Sequence, residues 1–84
     1  MTHEETADRI EAITAKTWNR YGYTSRPTGA NYAVFVLDMA RELAEAVTPG
    51  ELTDEAMDIL TQDNNHTARH ACEIVREILR RGTL

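Results

Sequence analysis

The sequence predicts an all-α fold, a compact bundle of four helices with the third one short. Apolar residues recur at three- and four-residue steps through four segments, the spacing of one helical face. Gly, Pro and Asn fall between these segments, where they break helices. The expected helices span about residues 3–21, 31–47, 54–62 and 66–81. Because the connections are short and 84 residues leave no room for a second core, we expect one domain over residues 1–84.

The first helix has clear signals at both ends. Thr2 and Glu5 have the spacing of a capping box, in which each side chain satisfies the other residue's backbone N–H. Gly22 is a natural stop, because glycine readily adopts the left-handed conformation of a helix C-cap. The residues between them that recur at helical spacing are Ile10, Ile13, Thr14, Thr17, Trp18 and Tyr21.

The second helix follows a loop over residues 22–30, where Pro27 disfavours helix at the residue before it. Thr28 or Asn31 can cap this helix. Its main feature is the run of four apolar residues at 34–37, which points apolar side chains in nearly every direction around the axis. Such a helix is either central in the core or covered on a second side by another subunit. A homodimer is therefore one hypothesis.

The third and fourth helices are separated by the turn at residues 63–65. Thr53 and Asn65 are the expected N-caps. In the third helix we expect Ala56, Ile59 and Leu60 to face inward, with Met57 at the edge. In the fourth, one apolar stripe is formed by Ala68, Ala71, Cys72, Val75, Ile78 and Leu79, and Arg80 and Arg81 precede the stop at Gly82.

The overall charge is acidic, with 9 Lys and Arg against 14 Asp and Glu. This balance argues against a protein coated with positive charge for phosphate backbones or anionic membranes. No stretch of 18 apolar residues exists, and the first residues are charged where a signal peptide is apolar. One cysteine forms no intramolecular disulfide. We therefore expect a cytoplasmic protein.

The charge is unevenly distributed along the chain. Residues 38–63 carry eight carboxylates and one arginine, whereas residues 64–84 are mildly basic. The acidic segment 38–63 is either an ordinary solvated face or a surface complementary to a basic partner. All five aromatic residues fall within residues 18–35, with Arg20 and Arg26 among them, and Tyr and Arg are enriched at protein–protein hot spots.

These features favour a small non-catalytic protein–protein interaction module, an adaptor or inhibitor without a cofactor. It would bind a protein partner, with a basic surface or as a second copy, through the acidic segment and the aromatic and arginine-containing loop. The abundance of arginine over lysine leaves a phage or mobile-element accessory protein open. The candidate partner-binding residues are Arg20, Tyr23, Arg26, Tyr32, Glu42, Glu45, Asp54 and Asp58.

The alternative is a DNA-binding regulator, because residues 53–81 have the layout of a helix-turn-helix unit, a short helix, a turn and a longer helix. The ending at residues 79–84 resembles the close of the recognition helix in winged helix-turn-helix proteins. In this alternative nucleic acid is the partner, and the exposed early residues of the last helix reach the bases. They are His66, Thr67, Arg69, His70 and Glu73.

A third class, an enzyme or metal-binding protein, has little support. His66 and His70 are one turn apart on one helix face, which makes them weak candidates for a metal site. However, zinc requires three or four ligands, and Thr67 stands where the zincin motif has glutamate. Cys72 lies in the apolar stripe, and Ser25, the single serine, has no general base nearby in sequence. We expect no enzymatic activity.

Overall fold

Four α-helices follow one another in the computed structural model, which describes residues 2–82. They are α1 (His3–Tyr21), α2 (Gly29–Ala46), α3 (Asp54–Gln62) and α4 (His66–Arg81). A single 3₁₀ turn, Pro49–Glu51, lies between α2 and α3. No strand occurs within residues 2–82, so the predicted all-α four-helix bundle is confirmed. Thr83 and Leu84, part of the ending compared with winged helix-turn-helix proteins, lie outside the described residues.

Local capping sets most helix ends where the sequence predicts them. Thr2 and Glu5 form the reciprocal capping box of α1. The side chains of Thr53 and Asn65 accept hydrogen bonds from the backbone of α3 and α4, respectively. Gly22 ends α1 with a φ of 68°, in the left-handed region that favours glycine.

α2 differs from the other three helices at its start. It begins at Gly29, two residues before the predicted start; Thr28 has an extended backbone, and Gly29 has a φ of 59°, in the left-handed region that favours glycine. The Thr28 side chain makes no capping hydrogen bond, and the first turn contains no acidic residue. The first N–H groups of α2 therefore have neither a side-chain acceptor at the cap nor a nearby carboxylate.

Side-chain contacts define the packing of α2 against its two neighbours. Tyr21 donates a hydrogen bond to Asp38, and Arg9 donates one to the carbonyl of Ala46, so α1 and α2 run antiparallel. Tyr32 meets His70 near the starts of α2 and α4, and Pro49, just after α2, lines one cavity with Leu79 near the end of α4, so these two helices run in the same direction. α3 packs between α1 and α4, which closes the bundle in the order α1, α2, α4, α3.

The core lies between all four helices. Its largest fully buried side chains include Phe35, Ile10, Met39, Leu43, Met57, Leu60 and Val75. Two expectations for α3 are wrong: Met57 is buried and Ile59 only half-buried. α4 covers this side of α3, where Arg76 of α4 reaches the Met57 sulfur. In α4, the predicted stripe is buried from Ala68 to Val75, and its last members are half-buried.

A single copy encloses this core. The accessible surface is 5182 Å², close to the roughly 5,000 Å² expected for a folded monomer of this mass. Within residues 2–82, every buried side-chain nitrogen and oxygen has a hydrogen-bond partner. Thr17, fully buried in α1, donates its hydroxyl proton to Glu42 at 2.5 Å. The buried side-chain polar atoms of the described residues therefore need no partner from outside the chain.

Candidate interaction surface

Four of the eight carboxylates in the acidic segment 38–63 pair with arginines of α1 or α4. Glu42 accepts two hydrogen bonds from the guanidinium of Arg20, at 2.8 and 2.9 Å. The Arg20 guanidinium holds the pKa of the Glu42 carboxyl below its ordinary value. The other ion pairs that join the segment to α1 or α4 are Arg9–Glu51, Arg69–Asp58 and Arg76–Asp54.

Folding therefore removes much of the charge separation seen along the chain. Among the candidate partner-binding carboxylates, Glu42, Asp54 and Asp58 already have intramolecular arginine partners. Glu45 is exposed and forms no ion pair within residues 2–82. The assignment of these four carboxylates to a partner interface stays a prediction. Glu45 is the one of the four that has no ion-pair partner within residues 2–82.

A different acidic surface arises where α1 lies beside α3. Glu11 of α1 faces Asp63 at the end of α3 and accepts a hydrogen bond from Asn65 at 3.3 Å. Desolvation raises the pKa of the Glu11 carboxyl, and the neighbouring carboxyls of Asp63 and Asp8 add to this effect. Glu11 is 52 positions from Asp63 and 54 positions from Asn65 in the sequence, so these contacts depend on the tertiary fold.

The aromatic residues divide into a buried cluster and an exposed end. Phe35 is fully buried, and the rings of Trp18, Tyr21 and Tyr23 surround it at centroid distances of 4.5, 5.1 and 5.5 Å. Tyr23, a candidate partner-binding residue, is half-buried in this cluster. Its ring therefore contributes to packing inside this chain.

At the exposed end, Arg26 and His70 are exposed and contact Tyr32, which is half-buried. The Arg26 guanidinium lies 5.3 Å from the centre of the Tyr32 ring, within the range of a cation–π contact. The Tyr32 ring stacks on His70 at 5.8 Å, and its hydroxyl lies 3.1 Å from Nδ1 of His70. Two of the predicted partner-binding residues, Arg26 and Tyr32, are thus brought together at the start of α2, beside α4.

α2 also presents an apolar face to solvent. Val34 is 57% exposed and Leu37 is 37% exposed, and they are the two large apolar side chains left exposed in the described part of the chain. Ala30 and Ala33, also exposed, lie on the same side of the helix, because Ala30 precedes Val34 by four residues and Ala33 precedes Leu37 by four. We call these four residues the α2 face. The predicted run 34–37 thus divides between core and surface, with Phe35 and Val36 buried.

The early residues of α4 do not form a freely accessible basic surface. Thr67 is 7% exposed, so the expectation that it is exposed is wrong: it precedes Ala71 by one turn and shares its buried side. Arg69 contacts Asp58, Thr61 and Glu73. His66, His70 and Glu73 are exposed.

The end of α4 is similarly compensated. Arg80 and Arg81 both contact Glu77, at 2.6 and 2.8 Å. Because Arg76 also has a carboxylate partner in Asp54, the arginines of α4 enter mixed-charge contacts, whereas phosphate binding uses unpaired cations.

Nothing in the described residues assembles a metal centre or a reactive thiol. Within residues 2–82 no group of three or more His, Cys, Asp and Glu side chains is placed to hold a metal ion. His70 contacts the Tyr32 hydroxyl through Nδ1. Burial raises the pKa of the Cys72 thiol to about 12, which keeps it protonated near neutral pH.

The sequence predicted the position of the α2 face but not which of its residues are exposed. The apolar run at 34–37 indicated that α2 has apolar side chains on more than one side, but the exposure of Val34 and Leu37 depends on where α1 and α4 pack.

Among residues 2–82, no helix is both long and apolar enough to cross a membrane. Comparison of the chain with protein-family models, curated proteins and solved structures finds no match.

Proposed function

We propose that the chain is a non-catalytic protein-interaction module that binds its partner through the α2 face. The exposure of Val34 and Leu37 carries this proposal, because the remaining large apolar side chains of residues 2–82 are buried or half-buried. Complete burial of one such side chain contributes about 1.5–3 kcal/mol. Because Val34 is 57% and Leu37 37% exposed, a partner that covers both residues gains roughly half of this free energy for each.

Polar groups near the two ends of the α2 helix supply selectivity. Arg26 and Tyr32 lie at the start of α2, and the exposed carboxylate of Glu45 lies near its end. An apolar centre flanked by aromatic, guanidinium and carboxylate groups is the composition typical of a protein–protein interface. The ion-paired carboxylates Glu42, Asp54 and Asp58 then have a structural role in the proposal. The cytoplasm stays the predicted location.

Partner capture with matched variants tests this function. The tagged protein is used as bait in an extract of its native host, alongside a Val34→Glu/Leu37→Glu variant. A control variant, Ala12→Glu/Ala15→Glu, adds the same charge at exposed positions of α1. We expect the control to retain the specifically captured protein and the α2 variant to lose it, with both variants equally helical by circular dichroism. Equal capture by all three proteins would overturn the proposal.

A further inference from the structure

A groove lies between the start of α1 and one face of α3. It contains a cavity of about 450 Å³, within the size range of ligand-binding pockets. Thr2, His3 and Glu4, at the start of α1, form one wall. The residues of α3 that form the other wall are spaced at i, i+3, i+4 and i+7, so they share one side of that helix. They are Glu55, Asp58, Ile59 and Gln62.

Hydrogen bonds hold both walls of the groove in place. Nδ1 of His3 lies 3.1 Å from the hydroxyl oxygen of Thr53, which is the N-cap of α3. Thr2 and Glu5 form the capping box of α1 at the same end. Because these contacts fix α1 and α3 to each other, the groove is formed before a ligand binds, and binding orders few additional groups.

The groove combines an apolar base with a negatively charged rim. Ile59 is half-buried and packs against the core, whereas the three carboxylates that line the cavity, Glu4, Glu55 and Asp58, are exposed. Glu4 and Glu55 form no ion pair within residues 2–82, and Asp58 lies 3.5 Å from Arg69. Lysine and arginine are absent from the described lining of the cavity.

The negative charge of the groove exceeds the effect of the two helix N-termini that meet there. Each N-terminus contributes about +0.5 elementary charge, which is less in total than the charge of the lining carboxylates. Asp8 and Glu11 follow Glu4 at helical spacing on the same side of α1, and Glu11 faces Asp63 at the end of α3. The negative potential therefore extends from the cavity along α1 to the end of α3.

We propose that this groove binds a lysine- or arginine-rich segment of a partner protein, with one cationic side chain in the cavity. Lysine and arginine have a long apolar stem and a charged end. The stem packs on Ile59, and the charged end reaches the carboxylates of Glu4 and Glu55. A metal ion fits less well, because no group of three or more ligating side chains within residues 2–82 is placed to hold one.

The groove is separate from the α2 face. In the order α1, α2, α4, α3 around the bundle, α3 lies diagonally opposite α2. This inference therefore goes beyond the proposed function, and the two sites can be tested independently. Val34→Glu/Leu37→Glu, which removes the apolar character of the α2 face, is expected to leave binding at the groove unchanged.

An NMR titration of the full chain tests the groove. The probe is a short synthetic peptide of alternating lysine and glycine, and the same peptide with serine in place of lysine is the control. We expect the lysine peptide to shift the methyl signals of Ile59 and to leave those of Ile74, half-buried on α4, unchanged. Because exposed ion pairs each contribute little, the expected dissociation constant is about 0.1–1 mM. An Ile59 signal that does not move at about 5 mM peptide would overturn the proposal.

Two matched charge reversals test the role of the carboxylates. Glu55→Lys and Glu45→Lys make the same change at exposed helical positions that have no ion pair within residues 2–82. We expect Glu55→Lys to weaken peptide binding by about tenfold or more and Glu45→Lys by less than about twofold. Glu55→Gln, a milder change to the first turn of α3, is expected to weaken it by about twofold to fivefold.

The remaining outcomes separate the groove from general charge attraction. Equal weakening by Glu55→Lys and Glu45→Lys would show that the peptide responds to net charge, and would overturn the groove as its site. Spermidine carries several positive charges without a peptide backbone. If spermidine shifts Ile59 at the same concentrations as the lysine peptide, the assignment to a protein segment is wrong.

Discussion

Arg20 and Glu42 form a two-pronged ion pair that joins the last turn of α1 to the second half of α2. The two terminal guanidinium nitrogens, Nη1 and Nη2, donate to the carboxylate, at 2.8 and 2.9 Å. One carboxylate oxygen also accepts the hydroxyl proton of Thr17, which is fully buried. Glu42 therefore satisfies a buried hydroxyl as well as an arginine, and its charge is used within the fold.

Replacement of Glu42 with alanine is expected to destabilise the protein by about 1–2 kcal/mol, because the buried Thr17 hydroxyl loses its acceptor. Glu42→Gln keeps an acceptor and is expected to cost less. Urea unfolding of the three proteins at pH 7 measures these differences. Equal stability of Glu42→Ala and the native chain would show that Thr17 finds another partner.

The same pair predicts a specific pH dependence. The pKa of Glu42 is lower in the folded protein than its ordinary value of 4.5, so its stabilising contribution is complete above that value. The contribution is lost as the pH falls through 4.5 towards the lower folded pKa. Unfolding curves between about pH 6 and pH 3 are expected to show a smaller acid-induced loss for Glu42→Gln than for the native chain.

The sequence predicted the helices and their caps because both depend on neighbours within a few residues. Thr2, Thr53 and Asn65 each cap through a backbone N–H three positions later. The ion pairs could not be predicted in this way. Arg20 and Glu42 are 22 positions apart, and their meeting depends on how α1 packs against α2. The net charge of segment 38–63 therefore overestimates the number of its carboxylates that are free to bind a partner.

The outward side of α2 was likewise beyond local reasoning. Periodicity marked residues 34–37 as apolar in every direction but left open which of them would be covered. Phe35 became the centre of the aromatic cluster, whereas Val34 became the most exposed large apolar residue of the described chain. The choice depends on the positions of α1 and α4, which contact one side of α2 and leave the other to solvent.

Phe35→Leu is expected to loosen the aromatic cluster without abolishing the fold. Three rings contact Phe35, and the smaller side chain leaves part of that volume empty. We expect a loss of about 1–2 kcal/mol and a change in Trp18 fluorescence, since this ring lies 4.5 Å from Phe35. Phe35→Ala, at about 3–5 kcal/mol, is expected to leave little folded protein.

Thermal melts followed by Trp18 fluorescence measure both effects. An unchanged melting temperature in Phe35→Leu would contradict the central role of this ring.

Glu11→Gln is expected to stabilise the protein at neutral pH. The folded pKa of Glu11 is raised, so the charged carboxylate is disfavoured in the fold, and this penalty grows as the pH rises through that value. After screening by solvent we expect a gain of about 0.5 kcal/mol, or about 2–4 °C in melting temperature. The gain should vanish below the ordinary pKa value of 4.5, where the Glu11 carboxyl is protonated in both the folded and the unfolded state.

Glu4→Gln, an exposed substitution on the same helix, serves as the control. An equal gain in Glu4→Gln would show that the change in net charge alone causes the stabilisation.

Thr28→Asp is expected to raise the stability of the protein. Thr28 has the extended backbone of an N-cap but makes no capping hydrogen bond, and the first turn of α2 has no carboxylate. Aspartate at this position can accept from the free N–H groups and interact with the helix dipole, a gain of about 0.5–1 kcal/mol.

Urea unfolding at neutral pH measures this gain. Thr24→Asp, which adds the same charge in the exposed loop before α2, is expected to change the free energy of unfolding little. Thr28→Asn, a neutral cap, should stabilise the helix less than Thr28→Asp, because it adds no charge near the positive end of the helix dipole. Equal stability of Thr28→Asp and the native chain would show that a side chain at position 28 does not reach the first N–H groups of α2.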